Sequence, residues 1–224
     1  MSFYMKHTIF FTILAICVLS LSTGVCAMTY IVDSAQSELV VRLFKAGIAS
    51  PLAHNHIIEA TNFTGKAKIS FDNPSASDIR VEAPANSLKA DPPALRQKYE
   101  LEKEMSDEDR RQVQETMLSD DQMDVQKYPT IRFESTGIER LSTGQYVITG
   151  AMTIHGVTQS ISFPAVVTRE GDRIRGQGSF HFKQSDFGIK PYSAFFGTVR
   201  NQDEAVMNID LVLVPQETPA EGGN

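Results

Sequence analysis

Between residues 145 and 167 the chain reads QYVITGAMTIHGVTQSISFPAVV, and few folds accommodate such a stretch. From Tyr146 to Ile154 the apolar side chains Tyr146, Ile148, Met152 and Ile154 share one parity, while Thr149, Thr153 and His155 fall on the other. A period of two marks a β-strand with one buried and one wetted face, because successive Cβ atoms point to opposite sides of the pleat. Gly156 allows the chain to reverse. Ile161, Phe163 and Ala165 then repeat the alternation in a run that Pro164 breaks. Nothing in this hairpin suggests chemistry. It reads as wall, which turns attention to what the wall encloses.

The rest of the chain repeats the pattern at short intervals. Residues 29–33 form a short strand candidate. Residues 38–45 set Leu39, Val41 and Leu43 against Val40, Arg42 and Phe44. A strand opening at 52–58 (LAHNHII) runs to 71, interrupted near Asn62 and Gly65 by the kind of bulge or bend that barrels use. Residues 78–88 form another, with Pro84 marking an irregularity or an edge. Residues 130–135 turn Ile131 and Phe133 inward. Residues 173–183 alternate strictly, with Ile174, Gly176, Gly178, Phe180 and Phe182 on one face, and residues 205–214 carry Met207, Ile209, Leu211 and Leu213 on one face. Turn chemistry separates these runs at DNPSAS (72–77), Thr143-Gly144 and Glu170-Gly171-Asp172. About eight short strands in meander order predict an all-β sandwich or closed barrel, and closure is the simplest answer to exposed edges.

One segment departs from the β pattern. Residues 95–118, LRQKYELEKEMSDEDRRQVQETML, are rich in helix formers. Ser106 followed by Asp109 resembles a capping box, predicting a helix over 107–118, with room for another around 94–104. Its apolar stripe (Leu101, Met105, Val113, Met117) is thin, which suits a surface or rim more than a core. A helical insertion of about 94–119 at one end of the barrel is therefore expected.

The N-terminus reads as a secretory signal, with an uncleaved anchor as the alternative. Lys6 is the only charged side chain in residues 1–27, an apolar run spans 9–21, and Val25 and Ala27 stand at the −3 and −1 positions of a signal-peptidase site. The run falls short of the roughly 20 residues a membrane span needs. A cleaved signal (1–27), a barrel domain (28–215) and a disordered tail (216–224) follow, with a periplasmic or secreted location and no stable membrane insertion after cleavage. Cys17 and Cys26 are the only cysteines, so the mature chain has neither disulfide nor thiol nucleophile. Val25 and Ile16 before them do not suit lipidation. A net charge of −6 argues against nucleic-acid binding.

Several segments resemble one family. YIVDSAQSELVVRLFKAG, LAHNHII, VQKYPTIRFEST, VITGAMTIHGVTQSISFP and FKQSDFGI are similar, in order, to the YceI-like proteins of bacterial periplasms. The resemblance covers the mature domain almost end to end. It implies an eight-stranded antiparallel lipocalin-like β-barrel with a helix near its mouth. It further implies a long apolar ligand in the lumen, a polyisoprenoid or quinone-type lipid. Residues 95–118 are longer and more charged than the helix many relatives carry there, and the His-Asn-His triplet marks only a subset.

Parity and composition then name candidate site residues. Leu43, Ile131, Phe133, Met152, Phe180 and Phe182 point inward. Phe187, Tyr192, Phe195 and Phe196 form an aromatic cluster that either plugs the barrel end or lines its mouth, where Met117 could join them. Gly176 and Gly178 remove volume from the wall, which favours a cavity, although the same side chains could fill a solid core. His54 and His56, two apart, would share a face if extended and could chelate a metal given a third ligand such as His155, His181 or Glu59. Their alternative is hydrogen bonding within a loop at the barrel end. A ββα metal finger and a basic surface, which a nuclease reading of HNH needs, are not indicated. No Ser-His-Asp order, phosphate loop or close acidic pair stands out, so no enzyme activity is expected.

Overall fold

The structure is a computed structural model, and it describes residues 28–48, 53–101 and 104–216. The expected signal (1–27) and the tail beyond 216 lie outside these residues.

Twelve strands form one sheet: β1 (Met28–Val32), β2 (Glu38–Ala46), β3 (His56–Ala60), β4 (Thr64–Ile69), β5 (Asp78–Pro84), β6 (Leu88–Ala90), β7 (Thr130–Ser142), β8 (Gln145–Ile154), β9 (Val157–Glu170), β10 (Arg173–Lys183), β11 (Ser193–Ala194) and β12 (Val199–Pro215). The ring β1-β4-β5-β7-β8-β9-β10-β12 closes through a β1–β12 pairing. The expected eight-stranded antiparallel barrel is therefore present. Its first three staves are each broken in two. β1 and β2 both run antiparallel to β12, against Leu213–Pro215 and Arg200–Asp210 respectively. β3 pairs with β2 and β4 with β1, while β6 pairs with β3 and β5 with β4.

The breaks satisfy one another's polar groups. Ser37 Oγ accepts from Val212 N–H at 2.8 Å and donates to Asp33 C=O at 2.7 Å, stitching the gap between β1 and β2 to β12. The β3–β4 and β5–β6 breaks lie side by side. Thr61 donates from both its amide and its hydroxyl to Ser87 C=O, and Ser87 Oγ donates to Asn62 C=O. Backbone groups freed from a ladder inside a barrel wall must find such partners. The interruption expected near Asn62 and the irregularity expected at Pro84 are thus two halves of one feature.

Two helices sit at the end of the barrel where β8 turns into β9. α1 (Pro93–Lys98) covers the outer face of β2 and β3, burying Val40 and Ile57 with Leu95 in a small core outside the barrel. α2 (Asp107–Leu118) begins at Ser106, whose Oγ accepts from Asp109 N–H. It docks through Gln114, which accepts from Ala90 N–H at 2.7 Å and donates to Leu88 C=O at 2.8 Å, as a neighbouring strand would. No residue of α2 is fully buried, as a rim helix requires.

Some boundaries differ from expectation. β3 begins at His56 rather than at 52, so His54 precedes the strand. β7 and β12 are longer than 130–135 and 205–214. β9 passes through Pro164 without a break in its own course, because the alternate face of the residue pairs normally with Val147 on β8.

Candidate functional site

The barrel is hollow. A cavity of about 620 Å³ runs through it, within the ~300–1,000 Å³ typical of small-molecule sites. Inward side chains that would be buried in a solid core, such as Met207, Ile209 and Leu211 on β12, remain half-accessible because they face this space. A Cβ built on Gly176 would meet nothing within 4 Å, so this glycine leaves lumen where a side chain would otherwise project. β10 lines the cavity from Ile174 to Phe182, roughly 27 Å along the strand at ~3.3 Å per residue and about 20 Å along an axis to which strands tilt by ~40°.

The middle of the lumen is apolar. Phe133, Phe163, Phe180 and Phe182 form a run of rings with successive centroids 6.1, 5.3 and 6.0 Å apart. Polar side chains gather at the ends. His56, Gln112, Thr116, Gln122, Tyr192 and Asn201 lie toward the helical end, and Ser70 and Ser77 toward the opposite end.

Most of the expected lining residues are brought together. Leu43, Ile131, Phe133, Met152, Phe180, Phe182, Tyr192 and, from α2, Met117 all line the cavity, with Val113 and Thr116 beside Met117. Three do not. Phe187 is buried among Met152, Ile154 and Ile189, edge-on to Phe182 at 5.7 Å, so it plugs the barrel end as core. Phe195 and Phe196 point outward, 77% and 110% exposed, because both adopt left-handed backbone (φ 50° and 56°) that turns them off the mouth. The aromatic cluster thus divides three ways, which composition alone could not reveal.

His56 lines the lumen, but its Nδ1 lies 2.6 Å from Asp91 Oδ2. Asp91 is fully buried. Its Oδ1 accepts from Arg96 Nη1 at 2.7 Å and from Ile57 N–H at 3.1 Å, and Arg96 also donates to Asn55 C=O. Burial alone would raise the carboxyl's pKa. The hydrogen bonds from His56, the Ile57 amide and Arg96 outweigh it and hold the group below its ordinary 3.8. Asp91 and Arg96 escaped the sequence reading because Asp91-Pro92-Pro93 looks only like the end of a β run.

The His54 and His56 rings stand 6.4 Å apart, and the residues considered as a third ligand are elsewhere. His155 packs on Tyr128 at the β8–β9 turn, His181 Nδ1 lies 2.9 Å from Glu204 on the outer surface, and Glu59 sits on the β3 face opposite His56. Among the described residues no three His, Cys, Asp or Glu side chains gather at metal-binding spacing.

A closed eight-stranded up-and-down barrel around an apolar lumen, with a helix on its rim, defines a lipocalin-like protein. The profile of the YceI-like domain matches residues 30–213, and the chain belongs to that family. It is 29% identical over 180 residues to a UPF0312 protein of Shewanella denitrificans, covering 77% of this chain and 82% of the relative. A UPF0312 protein of Pseudomonas aeruginosa is 30% identical over 135 residues, covering 58% and 61%. Among solved structures, BcnA of Burkholderia cenocepacia superposes with a TM-score of 0.61 at 18% identity, over 81% of this chain and 98% of that one. The YCEI protein of Campylobacter jejuni gives 0.53 at 17% identity, over 72% and 85%. At these identities the structures support the fold alone.

Proposed function

We propose that this chain holds a long apolar amphiphile, a polyisoprenoid or quinone-like lipid, in its lumen, and carries or sequesters it in the periplasm or outside the cell. The observation that supports this reading best is the lumen itself, a long tube lined mainly by apolar side chains, with most of its polar ones toward the ends. The secretory pattern of residues 1–27 supports the location. The role is binding, without chemistry on the ligand, and without nucleic acid or a resident metal.

Magnitudes favour long chains. About a dozen buried methylenes at ~0.8 kcal/mol each give about 10 kcal/mol, similar to the ~4–15 kcal/mol that association costs. Shorter chains would not hold, whereas a chain filling the tube would. The test is organic extraction and mass spectrometry of protein purified from its native compartment without detergent. Recovery of a stoichiometric prenyl or quinone lipid is expected. Repeated lipid-free preparations that also take up no offered quinone or polyprenol would contradict the reading.

A further inference from the structure

We propose that His56 reads the polar end of the luminal ligand as a hydrogen-bond acceptor, so that the ligand class is a long-chain alcohol or phenol, such as a prenol or a hydroquinone. The inference rests on the lumen being the binding site and adds what the site selects.

Strand parity turns His56 into the lumen and sends Ile57 and Glu59 to the other face of β3. The ring is not free to rotate. Asp91 takes Nδ1 at 2.6 Å, while Arg96 and the Ile57 amide hold the carboxylate from the other side. The carboxylate is thereby kept as an acceptor, so the shared proton belongs to Nδ1 of the imidazole. A neutral histidine whose Nδ1 is protonated carries a lone pair on Nε2, the tautomer being set by the partner of the other nitrogen. The Nδ1 edge is occupied by a fully buried group, which leaves the Nε2 edge as the part of the ring that the lumen meets. The Asp91–Arg96 pair is balanced in charge, so the arrangement does not call for an anionic ligand head.

Two further observations support a built site. Asp91 holds a left-handed backbone (φ 52°), which residues other than glycine seldom adopt, and it is anchored by its own N–H to Ile57 C=O at 2.7 Å. Leu43, paired with His56 across β2 and β3, and Ile58, the next inward residue of β3, give the ring apolar neighbours on the lumen side. Asp91 is a positioning residue here, and His56 the group that touches ligand.

The test uses the mature chain and four ligands with one C20 prenyl tail: the alcohol, its methyl ether, the hydrocarbon and the monophosphate. Affinities are measured by displacement of a fluorescent fatty probe. The wild type should bind the alcohol about tenfold more tightly than the ether, an effect of the size expected for one hydrogen bond. In His56→Phe the two should bind equally, with the ether unchanged, which also shows that the variant is folded. In Asp91→Asn the new amide can donate to Nδ1, moving the proton to Nε2, from which alcohol and ether oxygens can both accept, so the alcohol-to-ether ratio should fall to about one. An alcohol-to-ether ratio of one in the wild type, an undiminished ratio in His56→Phe, or tighter His56-dependent binding of the phosphate would each overturn the assignment. Failure of the wild type to bind any of the four, hydrocarbon included, would instead remove the luminal site on which the inference stands.

Discussion

Gly178 packs against the Pro164 carbonyl where the ladder between β9 and β10 ends. A Cβ on Gly178 would lie 2.9 Å from Pro164 C=O, so the two backbones meet closely at this point. Pairing runs from Arg173↔Glu170 to Gly178↔Ala165 and goes no further. Val167 N–H bonds to Gly144 C=O on the β8 side, so by alternation residues 164, 166 and 168 turn toward β10. Pro164 has no N–H to offer there, and the strands part. A gap of about 260 Å³ opens between them, edged by Ser160, Ser162 and His181. Its floor is Ile161, Phe180 and Phe182, which also line the lumen. Gln159 Nε2, donating to Asp186 C=O at 2.6 Å, ties the far end.

This seam should be the softest part of the wall. Amide hydrogen exchange resolved by residue should find Ser160 and Ser162 at least tenfold less protected than Val166 and Thr168 on the same strand. Equal protection along β9 would mean that the strands zip together in solution.

The buried Asp91–Arg96 pair should matter more to stability than any of the surface ion pairs. Arg96→Ala leaves a fully buried carboxylate with one strong partner fewer, and should cost about 3–5 kcal/mol in chemical denaturation. Arg132→Ala, which breaks the exposed pair with Glu82, should cost ~1 kcal/mol or less.

Acid stability follows from the same carboxyl. Folding holds Asp91 below its ordinary 3.8, so the unfolded chain binds its proton more readily. The stabilisation is complete above that value and is lost as pH falls through the lower folded value. Denaturation midpoints should therefore drop below about pH 4, and Asp91→Asn should flatten this limb relative to the wild type. Asp203 and Asp210 are shifted the same way by Ser185 and Arg175, but their exposure to solvent makes their share smaller. An unchanged acid limb in Asp91→Asn would remove Asp91 as its source.

Gln114 should control how firmly α2 closes the helical end. Gln114→Ala removes both of the helix's hydrogen bonds to β6 and should destabilise by about 1–3 kcal/mol. Because Val113, Thr116 and Met117 line the lumen from this helix, ligand dissociation measured by stopped flow should accelerate more than association slows. Unaltered dissociation would separate α2 from ligand retention.

How much of this was legible in the residues follows from the range of the forces involved. Strand identity in β7 to β10 is local, written in a period of two, and Thr143-Gly144 and His155-Gly156 announce their own turns. α2 and its Ser106 cap are equally local. Closure is not, since it pairs Tyr30 with Pro215 at opposite ends of the domain. The polar start of β12, Val199 to Glu204, carries no strand signal and is extended because β2 and β11 pair with it. Val40, which breaks the in-out rule of β2, makes sense only once α1 covers it. The His56–Asp91–Arg96 cluster joins residues 35 positions apart through one carboxylate, and no spacing rule would have assembled it. Phe187, Tyr192, Phe195 and Phe196 belong to one aromatic-rich stretch yet take three environments, core, lumen and solvent, with left-handed backbone at positions 195 and 196.

The hollow interior can be tested at one position. Gly176→Phe places a ring in open lumen, at a site where a Cβ meets no neighbour and the backbone is not left-handed, so thermal stability should stay near that of the wild type. Uptake of a polyprenol or quinone, measured by titration on both proteins side by side, should be stoichiometric in the wild type and at least tenfold weaker in Gly176→Phe. Equal uptake by both folded proteins would place the ligand somewhere other than the lumen.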